Sequence, residues 1–91
     1  MFVPEEFKRL SQCFWNGSDR ESKSFDDWIS RAIKLNSPEQ RSVSKAFLRE
    51  FLQGNPSIQD MQFVWRAGGS SYGFHDHQIK AFLEKLRDMI D

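Results

Sequence analysis

Three serines, each set three residues ahead of an acid or an amide, constrain this chain more than any other feature. They stand in Ser24-Phe25-Asp26-Asp27, Ser37-Pro38-Glu39-Gln40 and Ser57-Ile58-Gln59-Asp60. A serine hydroxyl at such a position accepts a bond from a free amide in the first helical turn. The acid or amide three residues on reaches back to the serine's own N–H. A run with helical apolar spacing follows each serine, which predicts a compact, all-α bundle of about five short helices.

Ninety-one residues fit a single domain, spanning 1–91. A chain of this size buries roughly 60–65% of the surface it exposes when unfolded, so its core is modest. Nine Phe and three Trp supply much of the area such a core needs. Lys plus Arg and Asp plus Glu number 13 each. That balance argues against a general nucleic-acid binder, which needs a basic excess on one face. A single cysteine, Cys13, excludes an internal disulfide and fits a reducing compartment. No apolar run is long enough to cross a membrane. The acidic start, Met1-Phe2-Val3-Pro4-Glu5-Glu6, has no apolar region of the secretory kind, so a cytoplasmic protein is expected.

Along the chain, Pro4 with Glu5 and Glu6 suits the first turn of a helix. Phe7, Leu10 and Phe14 give that helix its apolar side, and Asn16-Gly17-Ser18-Asp19 turns the chain into a polar loop over 16–24. The second helix carries Phe25, Trp28, Ile29, Ala32 and Ile33 as one stripe, and Asn36 ends it in the left-handed conformation. The third places Val43, Ala46, Phe47 and either Leu48 or Phe51 inward, a breadth that suits a central helix. Gly54-Asn55-Pro56 stops it, with the glycine supplying the positive φ. Ile58, Met61, Val64 and Trp65 define the fourth helix. Gly68–Phe74 reads as a flexible connection, and Asp76 caps a last helix with the stripe Ile79, Phe82, Leu83, Leu86 and Ile90. No sustained two-residue alternation predicts a strand.

Catalytic and metal signals are weak. The histidines of His75-Asp76-His77 point apart at a helix start and lack a matching second pair, so no metal site is expected. Cys13 beside Phe14 reads as a small core residue, since a nucleophile needs a base and an orienting group. Gly68-Gly69-Ser70-Ser71-Tyr72-Gly73 lacks the Gly-Lys-Ser/Thr ending of a phosphate loop. Lys34, Arg41, Lys45 and Arg49 read as a solvated helix face diluted by Glu39 and Glu50. No enzyme and no cofactor is expected. Phe14-Trp15 differs: neighbouring aromatics at a helix end cannot point the same way, so either one is left near the surface beside Asn16 and Asp19, as a hot spot for a basic partner, or Trp15 folds over the core.

The order of these pieces resembles a family of small bacterial immunity proteins from contact-dependent growth inhibition systems. The resemblance runs over residues 7–90. It comprises Leu10-Ser11-Gln12-Cys13-Phe14-Trp15-Asn16-Gly17-Ser18-Asp19, then Ser24-Phe25-Asp26-Asp27-Trp28-Ile29. A Ser-Pro-Glu start to the helix ending Phe47-Leu48-Arg49-Glu50-Phe51-Leu52 follows, and a final Ile79–Leu86 stretch completes it. Asn16-Gly17-Ser18-Asp19 stands where the family carries a Gln-Asp pair. The resemblance implies a cytoplasmic binding protein that grips the C-terminal domain of a cognate toxin and blocks its active site or substrate path, with no membrane or nucleic-acid partner. The expected interface residues are Trp15, Asp19, Glu21, Asp26 and Asp27, with a second patch of Tyr72, Phe74, His75 and Asp76. The alternative is a small helical nucleic-acid-binding, transcription-regulating domain that sets Arg66 and Lys80 near phosphates. The Gly68–Phe74 connection is too long for the turn of that motif.

Overall fold

The computed structural model describes residues 2–90. The helices are α1 (Glu5–Gln12), α2 (Phe25–Lys34), α3 (Pro38–Gln53), α4 (Ile58–Arg66) and α5 (Asp76–Met89), with a 3-10 turn over Ser18–Glu21. There is no strand among the described residues. The Cys13–Ser24 region is therefore more ordered than the loop expected at 16–24. Gly17, with φ of 94°, makes the left-handed step that opens the 3-10 turn.

All three serines cap as the spacing predicts. The amides of Asp27, Gln40 and Asp60 donate to Ser24, Ser37 and Ser57 Oγ at 3.0–3.1 Å. Only Ser37 completes the reciprocal box, its N–H donating to Gln40 Oε1 at 2.8 Å. Asp27 turns instead to the Lys23 N–H, one residue before the cap (3.0 Å). Pro4 stands at the cap position of α1, just outside its first turn.

One hydrophobic cluster joins all five helices. Helix α1 packs on α3 and α4, and α5 packs on α2, α3 and α4. At its centre Phe14 is enclosed edge-on by Trp28, Trp65 and Phe82, with ring centroids 5.0–5.5 Å apart. Such edge-to-face contacts set the negative ring face against the positive ring edge, worth about 0.5–1.5 kcal/mol per pair beyond burial.

Several local expectations change. Asn36 does not turn left-handed. It is buried, its Nδ2 donates to Ala32 O at 2.9 Å, and Leu35 caps α2 in the right-handed region. After α3 the positive φ belongs to Asn55 (57°), while Gly54 keeps a φ of −75°. Helix α3 is not central. It buries Ser44 and Leu48, leaves Val43, Phe47, Phe51 and Leu52 half-covered, and turns Ala46 outward. Phe25 and Ile58 lie on predicted stripes yet remain exposed. His75, not Asp76, holds the cap position of α5.

The segment after α4 is fixed by side chains distant in sequence. Gln12 Nε2 donates to Gly68 O (2.7 Å), and Ser70 Oγ donates to Phe14 O. Trp65 Nε1 donates to Tyr72 O (2.8 Å) and Gln62 Nε2 to Phe74 O (2.7 Å). Residues 68–74 are thus tied into the core rather than loose.

Candidate recognition face

The residues expected at an interface gather where the 3-10 turn, the start of α2 and segment 70–77 meet. Phe14 and Trp15 separate as neighbouring residues must: Phe14 is fully buried, and Trp15 is 51% exposed. Trp15 and Glu21 border a small depression with Cys13, Arg31 and Leu35. Cys13 is half-buried, and burial pushes its thiol pKa up, opposed by a bond from Asn36 Nδ2 at 3.6 Å. A thiol held in its protonated form is a poor nucleophile.

Asp19, on the 3-10 turn, receives the Tyr72 hydroxyl at 3.5 Å, which joins the two expected patches. Burial first, and the Asp19 charge second, push the Tyr72 phenol above its ordinary pKa. Asp26 and Asp27 are not open acids. Asp26 pairs with Lys85 of α5, and that ammonium also lies 5.7 Å from the Phe25 ring centroid. Asp27 accepts the Lys23 N–H and, at 3.1 Å, Arg31 Nε. The Lys23 bond leads in holding the Asp27 carboxyl below its usual pKa. Both acids also offset the positive end of the α2 dipole.

Tyr72 and Phe74 face inward more than a contact patch would. Both pack against the core, Phe74 stacked on Phe82 at 4.0 Å and Tyr72 at 4.6 Å from Trp28. Asp76 accepts from Gln62 Nε2 at 3.1 Å, and the His75 N–H donates to Gln78 Oε1 at 3.1 Å. The rings of His75 and His77 do not point apart: they lie parallel, 5.6 Å between centroids. Among the described residues no group of three or more His, Cys, Asp or Glu side chains is placed to hold a metal ion.

Phe25 is the surface residue that periodicity misplaced. At 46% exposure it stands between two depressions. One, of about 340 Å³, is lined by Phe74, His77, Gln78, Ala81, Phe82 and Lys85 with Phe25 itself. The other, of about 240 Å³, is lined by Asp19, Ser22, Ser24, Trp28 and Tyr72 with the same ring. The signal available in the sequence was the position of Phe25 directly after its cap, where a helix side chain stands at the rim of the packed face. Among the described residues no helix is long and apolar enough to cross a membrane.

No family model matches the chain, and no curated protein or solved structure shows significant similarity to it.

Proposed function

We propose that this chain is an immunity-type binding protein that docks on the C-terminal domain of a cognate bacterial toxin in the cytoplasm and blocks its active site or substrate path. The observation that carries the reading is the pairing of exposed aromatics, Trp15 and Phe25, with the acids Asp19 and Glu21 on a short turn tied to α2 by the Trp28 indole N–H, which donates to Ser18 Oγ at 2.8 Å. Large aromatics beside charge are the material of binding hot spots, where a few residues supply most of the affinity. The acids Asp26, Asp27 and Asp76 shape the surface by holding Lys85, Arg31 and Gln62. An interface of ordinary size, about 1,600 Å² in total, would cover this face and its surroundings.

The experiment is co-purification of the chain with the product of the adjacent gene, joined to a growth-protection assay in cells expressing that toxin domain. Binding and protection are expected, and Trp15→Ala weakens binding at least about tenfold, as loss of a hot-spot aromatic does. Failure of both binding and protection with every neighbouring toxin domain refutes the proposal. A gel shift whose affinity falls steeply with salt would instead favour the nucleic-acid reading.

A further inference from the structure

We propose that the depression between the 3-10 turn and α2 is a receptor for a cationic side chain, a lysine or arginine presented by a protein partner. The inference deepens the proposed recognition role, and rests on it only in taking the cation from a protein. Three aromatic rings form the walls. Trp28 lies 5.7 Å from Phe25 and 4.6 Å from Tyr72, and both pairs are tilted by about 50° rather than stacked flat. Ring faces carry negative potential and attract a cation within about 6 Å of the centroid. Phe25 already receives one cation, Lys85, but that residue lines the neighbouring groove and not this one.

The polar lining has the matching sign. Asp19 is the carboxylate of the site, and no Lys, Arg or His lines it. Asp26 and Asp27 are held by Lys85 and Arg31, whereas among the described residues the Asp19 side chain receives only the long bond from Tyr72. Ser22 lines the same depression, with its Oγ buried and without a hydrogen-bond partner among the described residues. An ammonium or guanidinium entering here meets a carboxylate and aromatic ring surfaces. The positive end of α2 does not oppose it, because Asp26 and Asp27 stand in that first turn.

The test is an amide and indole NMR titration with Nα-acetyl-lysine amide and with Nα-acetyl-norleucine amide, which keeps the chain and lacks the ammonium. The lysine probe is expected to give saturable shifts at the Trp28 indole N–H and the Asp19 and Tyr72 amides, with affinity at least about fivefold above norleucine. Asp19→Asn, and Phe25→Leu at its exposed position, each weaken the lysine probe at least about threefold. Equal response to both probes, shifts confined to other residues, or unchanged binding by both variants overturns the proposal. Toxin binding unaffected by both variants overturns the assignment while leaving the immunity role intact. Lysine capture by a chain that binds no neighbouring toxin removes that role and leaves the site.

Discussion

Gly68→Ala should be among the most damaging small substitutions in this protein, and the reason is room rather than conformation. Gly68 has no positive φ, unlike Gly17 and Gly69. A methyl group there would sit 2.2 Å from Ser11 Oγ, 2.6 Å from Lys8 O and 2.9 Å from Lys8 Cα. Ordinary contact begins near 3.4 Å. The Ser11 hydroxyl is fully buried and donates to Lys8 O at 2.8 Å, so it has little freedom to yield. The Lys8 atoms are backbone of α1. That helix and the chain after α4 must therefore part, which also strains the bond from Gln12 to Gly68 O. Overpacking of this kind and one weakened hydrogen bond together cost about 2–4 kcal/mol. For a domain of this size that lowers Tm by about 10–30 °C. Thermal denaturation followed by circular dichroism measures it, with Gly73→Ala as control, since a Cβ at Gly73 meets nothing within 4 Å. The control should stay within about 1 kcal/mol of the parent. Ser11→Ala in the Gly68→Ala background removes the 2.2 Å clash but not the two with Lys8, so it should recover only part of the loss. A Gly68→Ala protein melting within about 2 °C of the parent, or no lower than Gly73→Ala, refutes the argument.

Ser37→Ala removes the hydroxyl half of its capping box, the bond from the Gln40 N–H, and should cost about 1 kcal/mol, read as a lower urea midpoint at unchanged slope. Tyr72 is the single tyrosine, so ultraviolet absorbance reports its ionisation directly. Its midpoint should lie above the usual value of about 10 and move part-way back in Asp19→Asn. Because the fold favours the neutral phenol, this contribution to stability is complete below the unfolded pKa and disappears as pH rises through the raised folded value. Asp27 acts in the opposite sense. Its lowered carboxyl pKa adds stability above the unfolded pKa, lost as pH falls through the folded value, so Asp27→Asn should flatten the acid side of the stability–pH curve.

The helix starts were legible because they are local. A serine and the amide three residues on need nothing else to meet, and Ser24, Ser37 and Ser57 all cap. The division of Phe14 from Trp15 was legible for the same reason, as helical geometry separates neighbours. Segment 68–74 was not legible. Its order comes from Gln12, Gln62 and Trp65, whose partners are main-chain carbonyls that carry no residue-type signature. Periodicity also failed at helix margins: Phe25 and Ile58 fit a stripe, but each stands first in its helix, at the rim of the packed face, where neighbouring elements cover it only in part. At the candidate site, acid positions could be read directly, but their pairing could not. Lys85 is far from Asp26 in sequence, and only the packing of α5 on α2 brings them together.

The carbonyls of Tyr72 and Phe74 are gripped by Trp65 and Gln62 of α4. A path specified through main-chain acceptors places few demands on which side chains it displays. Exposed Gly73, where a Cβ meets nothing within 4 Å, can therefore take other side chains without rerouting the chain.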